Sequence, residues 1–225
     1  MNNFRVYPAV YTTENRHGVF PVDFMLETIL RLGLDWFRTN SKAPQLVFGH
    51  LASPWLKTAY GDNKIEEIAA YIRKYEIKII QHFAMIDAQV PCISLQLLDG
   101  NEETSRTALA DFAQSIDVLN AQDEVLGRTE IGYAPVIDNI HIGIHNVLTP
   151  DLTKYLYYLV IYILSSYKPQ LEERGLQLGT FRATDVSRMI EYLPENMFSR
   201  FINFSVFSIA TFSKGDVPII TDIQG

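Results

Sequence analysis

Residues 149–175, "TPDLTKYLYYLVIYILSSYKPQLEERG", limit the possible folds more than any other stretch. Thr149 suits an N-cap, Pro150 the first helical position, and Asp151 the positive end of the helix dipole. Gly175 after Arg174 makes a stop. The pattern predicts one long helix, with a kink or break near Tyr167 and Lys168 because Pro169 lies inside it. Its run Tyr155–Leu164 is strongly apolar, but a membrane span needs roughly 20 apolar residues, and Asp151, Lys154 and Lys168 crowd both ends. The reading is a helix buried on most sides. Its excess of aromatic and apolar surface points to an oligomer interface, with Tyr157 and Tyr158 as candidate contacts.

Directly before this helix stands "NIHIGIHNV", Asn139–Val147, with two of the five histidines four residues apart. Ile140, Ile142 and Ile144 alternate with His141, Gly143 and His145, which is a strand pattern. Residues four apart on a strand sit roughly 13 Å apart. Two imidazoles at that spacing cannot share a zinc ion, whose ligands lie about 2 Å away. The histidines are therefore read as packing or interface residues on the face opposite the isoleucines. His17, His50 and His82 are scattered among unlike segments, so no metal site is expected.

Upstream, "VDFMLETILRLGLDWF" predicts a helix that buries Val22, Met25, Leu26, Ile29, Leu32, Gly33 and Trp36, started by Pro21. "QLVFGHL" reads as a short strand and "ASPWLKTAYGD" as a loop. The loop's Trp55 either tucks into the core or waits for a partner. A second helix spans about Asn63–Tyr75, with Ile65, Ile68, Ala69 and Ile72 buried and Asn63 and Glu66 forming a capping box. "IKIIQHFAMI" and "VPCISLQLL" read as strands, Pro91 opening the second. Near the C-terminus "FSRFINFSVFSIATFS" predicts a long antiparallel strand with Phe198, Ile202, Phe204 and Val206 on one face. The tail "KGDVPIITDIQG" either pairs or trails off. The order of elements gives an α+β class: an antiparallel or mixed β-sheet packed against a long α-helix, with N-terminal helices and a long acidic loop or hairpin. No Pro/Gly/Ser linker divides the chain, so residues 1–225 are read as one domain.

Charge is unevenly spread. Between Asp99 and Glu130 stand eight acids (Asp99, Glu102, Glu103, Asp111, Asp117, Asp123, Glu124, Glu130) against two bases (Arg106, Arg128), six of the chain's seven net negative charges. Such a segment is either a solvated loop or hairpin, or a surface that repels something anionic. A basic nucleic-acid groove is not expected from this balance. The single cysteine, Cys92, excludes an intrachain disulfide, and its apolar strand reads as a buried, inert setting. The start "MNNFRVYPAVYTTENRHG" lacks the basic start and apolar core of a signal peptide. G-x-S-x-G and P-loop patterns are lacking, and "GLQLG" follows a helix rather than a strand. Glu102 and Glu103, adjacent on an acidic stretch, lack the burial that tunes a general acid and base. No catalytic residue and no cofactor is expected.

Three stretches, in their order, carry a family resemblance. "EIKIIQHFAMIDAQVPCISLQLLDGNEE" holds the Val90-Pro91-Cys92-Ile93 strand start before an acidic loop. "DNIHIGIHNVLTPDLTKYLYYLVIYILSSYKPQLEERGL" holds His141-Ile142-Gly143-Ile144-His145 leading directly into the long helix. "ENMFSRFINFSVFSIATFS" holds Asn196, Phe198, Ser199, Arg200 and Phe201 at the start of a late strand. Together they resemble neck proteins of tailed bacteriophages, of the tail-terminator and head–tail joining family of contractile-tailed phages. The resemblance covers about residues 60–212. Residues 1–60, an N-terminal helical portion, match nothing in that family and are read as a docking extension.

The resemblance implies a structural virion protein rather than an enzyme. It implies a homo-oligomeric ring, commonly a hexamer, that caps the tail tube and joins it to head-connector or adaptor proteins. Tail-tube and sheath proteins are its expected partners. Genomic DNA would pass through the lumen without sequence-specific binding, and no membrane is involved. The place is the virion neck or tail, and the host cytoplasm during assembly. Asp99, Glu102 and Glu103 are then candidates for lumen or tube contact, since acids repel phosphates. Tyr157, Tyr158, Arg200 and Trp55 are candidates for the subunit interface. Alternatives are another connector, tail-tube or baseplate component, or an enzyme on an α+β scaffold.

Overall fold

The structure, a computed structural model, describes residues 21–81, 90–102, 114–119, 125–184 and 197–213, with side chains for 21–81, 90–98, 136–184 and 197–209. The histidines His17 and His82, the acid Glu103 and the tail 214–225 lie outside the described residues. The helices are α1 (Val22–Thr39), α2 (Ala43–Phe48), α3 (Pro54–Tyr60), α4 (Lys64–Lys74) and α5 (Pro150–Glu173), with a 3-10 turn at Gly49–Ala52. The strands are β1 (Lys78–Ile80), β2 (Cys92–Glu102), β3 (Gln114–Leu119), β4 (Val125–Asn146), β5 (Gln177–Leu178), β6 (Arg182–Thr184) and β7 (Phe198–Ser213).

One mixed sheet holds all these strands, in the order β1-β2-β4-β7-β5, with β3 on β4 and β6 on β7. β1 is parallel to β2 and the remaining pairs are antiparallel. The α+β class with a sheet against a long helix is what the sequence predicts. The spine is the β4–β7 pair, in unbroken register from Ile131↔Ser213 to Asn146↔Phe198. Along it, even-numbered residues of both strands share one face. Ile140, Ile142, Ile144, Ile202, Phe204 and Val206 fall there and are buried with α1, α4 and α5 in one apolar core.

α5 runs unbroken through Pro169, so the expected break does not occur. Pro169 removes the hydrogen bond to the Ser165 carbonyl, and both residues are on the exposed side, where the freed carbonyl is open to solvent. The start is as predicted: Thr149 Oγ1 accepts from the Leu152 N–H at 3.3 Å. The stop is a Schellman turn, with Leu176 N–H donating to Leu171 C=O and Gly175, at φ 87°, donating to Glu172 C=O. Among the described residues no helix is long and apolar enough to cross a membrane.

Three other sequence readings need correction. "QLVFGHL" is not a strand: it lies in α2 and the 3-10 turn that follows. "ASPWLKTAYGD" is not a loop, because α3 occupies its middle. Both helices carry a proline in the first turn, and a short apolar run fits a helix as well as a strand. In α1 the buried set is Val22, Leu26, Ile29, Leu30, Gly33, Leu34 and Phe37, while Leu32 is half exposed and Met25 and Trp36 only partly buried. Exposed Phe24 and Leu32 extend the apolar set beyond the buried stripe, so periodicity leaves the rotation of α1 open. Gly33 settles it: a Cβ there would come within 2.5 Å of Ile163 on α5, so the glycine marks the line of closest approach.

The Asn63–Glu66 capping box also fails to form, since Asn63 makes no side-chain cap bond. α4 still buries Ile65, Ile68, Ala69 and Ile72 as predicted. Its neighbourhood is held by exchanged arginines. Arg73 donates to the Phe37 and Asn40 carbonyls at the end of α1, and Arg38 donates to the Tyr75 carbonyl at the end of α4. Each cation thus meets the negative end of the other helix.

Candidate functional site

The sheet face opposite the helices carries the two histidines of the strand before α5. His145 is fully buried between two serines from neighbouring strands: Nε2 hydrogen-bonds with Ser94 Oγ at 2.9 Å and Nδ1 with Ser199 Oγ at 2.8 Å. Its ring folds over Gly143, where any Cβ would collide with the ring and the Ser94 hydroxyl. His141 Nδ1 hydrogen-bonds with Asn203 Oδ1, and its ring stacks on Phe201 at 4.8 Å. The His145 ring meets the same Phe201 edge-on at 5.6 Å. The two imidazoles therefore flank a phenylalanine rather than converge.

Burial pushes the His145 pKa down to about 4, with repulsion from His141 adding to it. Burial also lowers the His141 pKa, against the hydrogen bond to Asn203 Oδ1 that raises it. Cys92, opposite His145 in register, has its thiol pushed up to about 12 by burial. Neutral imidazoles and a protonated thiol, all enclosed, make a framework that ties β2, β4 and β7 together. This arrangement offers no accessible nucleophile. Among the described residues no three His, Cys, Asp or Glu side chains gather as a metal ion would require.

The surface residues named from the sequence fall into three places. Tyr157, Tyr158 and Arg200 come together: the Arg200 guanidinium lies 4.2 Å over the Tyr157 ring, and the two tyrosine rings meet at 5.4 Å. Half-exposed Tyr158 and Phe198, with Leu148, mark the same end of the sheet. The joint beneath them is built by Asn146, which sequence reasoning missed. Its Oδ1 accepts from the Leu148 and Thr149 N–H groups, its Nδ2 donates to Thr153 Oγ1, and Thr153 Oγ1 donates to the Phe198 carbonyl. An N-x-x-T spacing from strand end to N-cap was the available signal. Phe198, which shares a strand face with buried Ile202, Phe204 and Val206, is itself 39% exposed because it lies at the strand's first position.

Trp55 stands apart on α3, which packs chiefly on the 3-10 turn, and at 73% exposed it is not tucked into the core.

Asp99 and Glu102 lie in the last part of β2, opposite Asn139 and Val136. A register shift falls between Leu97 and Asp99. The described parts of the acidic segment thus continue the sheet. β3 pairs with β4 from Gln114↔Ile131 to Leu119↔Val125, placing Asp117 opposite Arg128 and Glu130 opposite Ser115. Where this extension joins the helix-covered part, buried Asp138 has its carboxyl pKa raised, first by burial and then by the charge of Asp23 on α1.

No family model matches the chain, and no curated protein matches it. Among solved structures it is similar to the sheath/tube terminator of an extracellular contractile injection system (PVC) in the extended state. That likeness is 14% identical, covers 72% of this chain and 61% of that one, and has a TM-score of 0.40. The chain therefore spans about three fifths of that protein's length.

Proposed function

We propose that the chain is a structural subunit of a contractile phage tail: a terminator that assembles into a ring on the end of the tail tube and joins it to the head connector. One observation carries the reading most. Strand β4 runs on from its unbroken pairing with β7 (Ile131–Asn146) into its pairing with β3, inside the segment Asp99–Glu130 that holds six of the seven net negative charges. Acidic strands continuing the sheet of a body whose buried polar groups are locked together suit a scaffold that positions a repelling surface. The sequence resemblance adds the class of particle.

In this reading Asp99, Glu102 and Glu103 face the DNA passage or the tube, and Tyr157, Tyr158, Arg200 and Trp55 meet neighbouring subunits. Acidic groups lining a passage release no counterions to DNA and let it slide. Exposed Trp and Tyr beside an arginine are the residue types that dominate interface energetics. Particles assembled without the chain should carry tubes of irregular length and unjoined heads. Tails of normal length joined to heads would contradict the assignment. Asn or Gln at positions 99, 102 and 103 should leave ring assembly intact and change DNA retention or ejection; unchanged DNA handling would sink the lumen assignment.

A further inference from the structure

α1 and α5 come close at Gly33, where an added Cβ would meet Ile163 at 2.5 Å, and beside that contact their side chains part to leave an open groove. Trp36 forms one wall, and Tyr162, Ser166, Tyr167 and Gln170 of α5 form the other. The Trp36 and Tyr162 rings lie parallel to within 5°, with centroids 5.8 Å apart. All three aromatic rings are half-buried, while Ser166 and Gln170 are exposed. From Tyr162 to Gln170 the groove follows α5 for about 12 Å, at the usual ~1.5 Å rise per residue. Among the described residues no charged side chain lines it. Trp36, Tyr162, Ser166, Tyr167 and Gln170 can each donate a hydrogen bond from the side chain. Among the described residues none of those donors is spent on a bond within the chain.

We propose that this groove binds an extended, proline-containing segment of another protein, held in the polyproline II conformation. Shape, surface and polarity each select that class. A polyproline II chain advances about 3.1 Å per residue, so about four residues match the length of the groove. Tyrosine and tryptophan walls offer flat apolar faces to pyrrolidine rings, which is how aromatic grooves take such segments. The prolines of the segment have no N–H to satisfy, and its carbonyls carry no internal hydrogen bonds. The groove answers with donors and holds no carboxylate to be left unpaired. An anionic occupant, such as a nucleotide or a phosphorylated peptide, would call for arginine or lysine on the walls. Its volume, about 240 Å³, is below the roughly 300–1,000 Å³ of a pocket for a drug-sized ligand and suits a few residues laid along a surface. The inference does not depend on the ring reading, and it uses none of the residues named for subunit contacts.

The test is titration of the full chain with a blocked, uncharged peptide of Ala-Pro-Pro repeats, followed by calorimetry and by the NMR signals of the two tryptophan indole N–H groups. Saturable binding at about 1 mM or tighter is expected, with the Trp36 signal moving and the Trp55 signal still. A peptide of the same length with glycine at every proline should bind about tenfold or more weakly, because it has more backbone freedom to lose. Tyr162→Phe and Tyr167→Phe delete one hydroxyl each and keep the ring, and each should weaken binding about threefold or more. Ser166→Arg fills the groove from an exposed position and should weaken binding about tenfold or more. Circular dichroism melting confirms that each variant folds. With no charge on the walls, added salt should leave the affinity within about twofold. Absence of saturable binding overturns the proposal, as does equal binding of the proline and glycine peptides or undiminished binding by Ser166→Arg. Movement of the Trp36 signal with a neutral oligosaccharide such as maltohexaose, and not with the peptide, would assign the groove to a saccharide and overturn it as well.

Discussion

His145 is neutral in the folded chain at neutral pH, because its ring is enclosed between Ser94, Ser199 and Phe201. The folded ring takes up a proton only near pH 4, against an ordinary value of 6.5. Between those values the unfolded chain binds more protons, so stability is full above about pH 6.5 and falls as the pH drops toward 4. The gap corresponds to about 3 kcal/mol. His141, also lowered, acts in the same direction, while Asp138, whose carboxyl is raised, acts in the opposite one. The clean measurement is therefore a difference: urea unfolding midpoints of wild type and His145→Asn between pH 7 and 4. The wild type should lose more stability than the variant over that range, and parallel curves would contradict the account. Gly143→Ala should destabilise at every pH, by about 1–3 kcal/mol from overpacking, since the new methyl meets the His145 ring. Strand spacing alone showed that these histidines hold no shared metal. Their serine and asparagine partners were not legible, because they come from β2 and β7, far away in sequence.

α5 was legible in its start, stop and depth of burial because capping residues and apolar spacing all agree there. α2 and α3 were not, because a handful of residues does not distinguish helical from strand periods and only tertiary packing decides. The rotation of α1 was hidden for a related reason: apolar residues such as Phe24 and Leu32 also lie outside the buried stripe, and the selecting contact, Gly33 against Ile163, is long-range. These elements give different sensitivities. Thr149→Ala removes one N-cap bond and should cost about 1 kcal/mol. Asn146→Ala should cost more, about 2–3 kcal/mol, because it strips acceptors from two backbone N–H groups and breaks the link through Thr153 to β7. Thermal or urea unfolding of the two variants side by side checks the ranking. A larger loss for Thr149→Ala would mean that the strand-to-helix joint is not held as described.

Across the whole molecule, the helix-covered core and the described strands of the acidic segment share one sheet. The acidic character was plain in the sequence. That these strands continue β2 and pair along β4 was not, since a strand's register cannot be read without its partner. The proposed particle class rests on the order of three moderately specific stretches, since the sequence shows no catalytic motif to read instead. The central claim is one of location. Cryo-electron microscopy of intact tailed particles, at a resolution that traces side chains, tests it most directly. The account predicts density for α5 and the β4–β7 ribbon in a ring at the head-proximal end of the tail tube, with Asp99 and Glu102 toward the passage. Finding the chain in the baseplate or along the tube, or not in the particle at all, would contradict it.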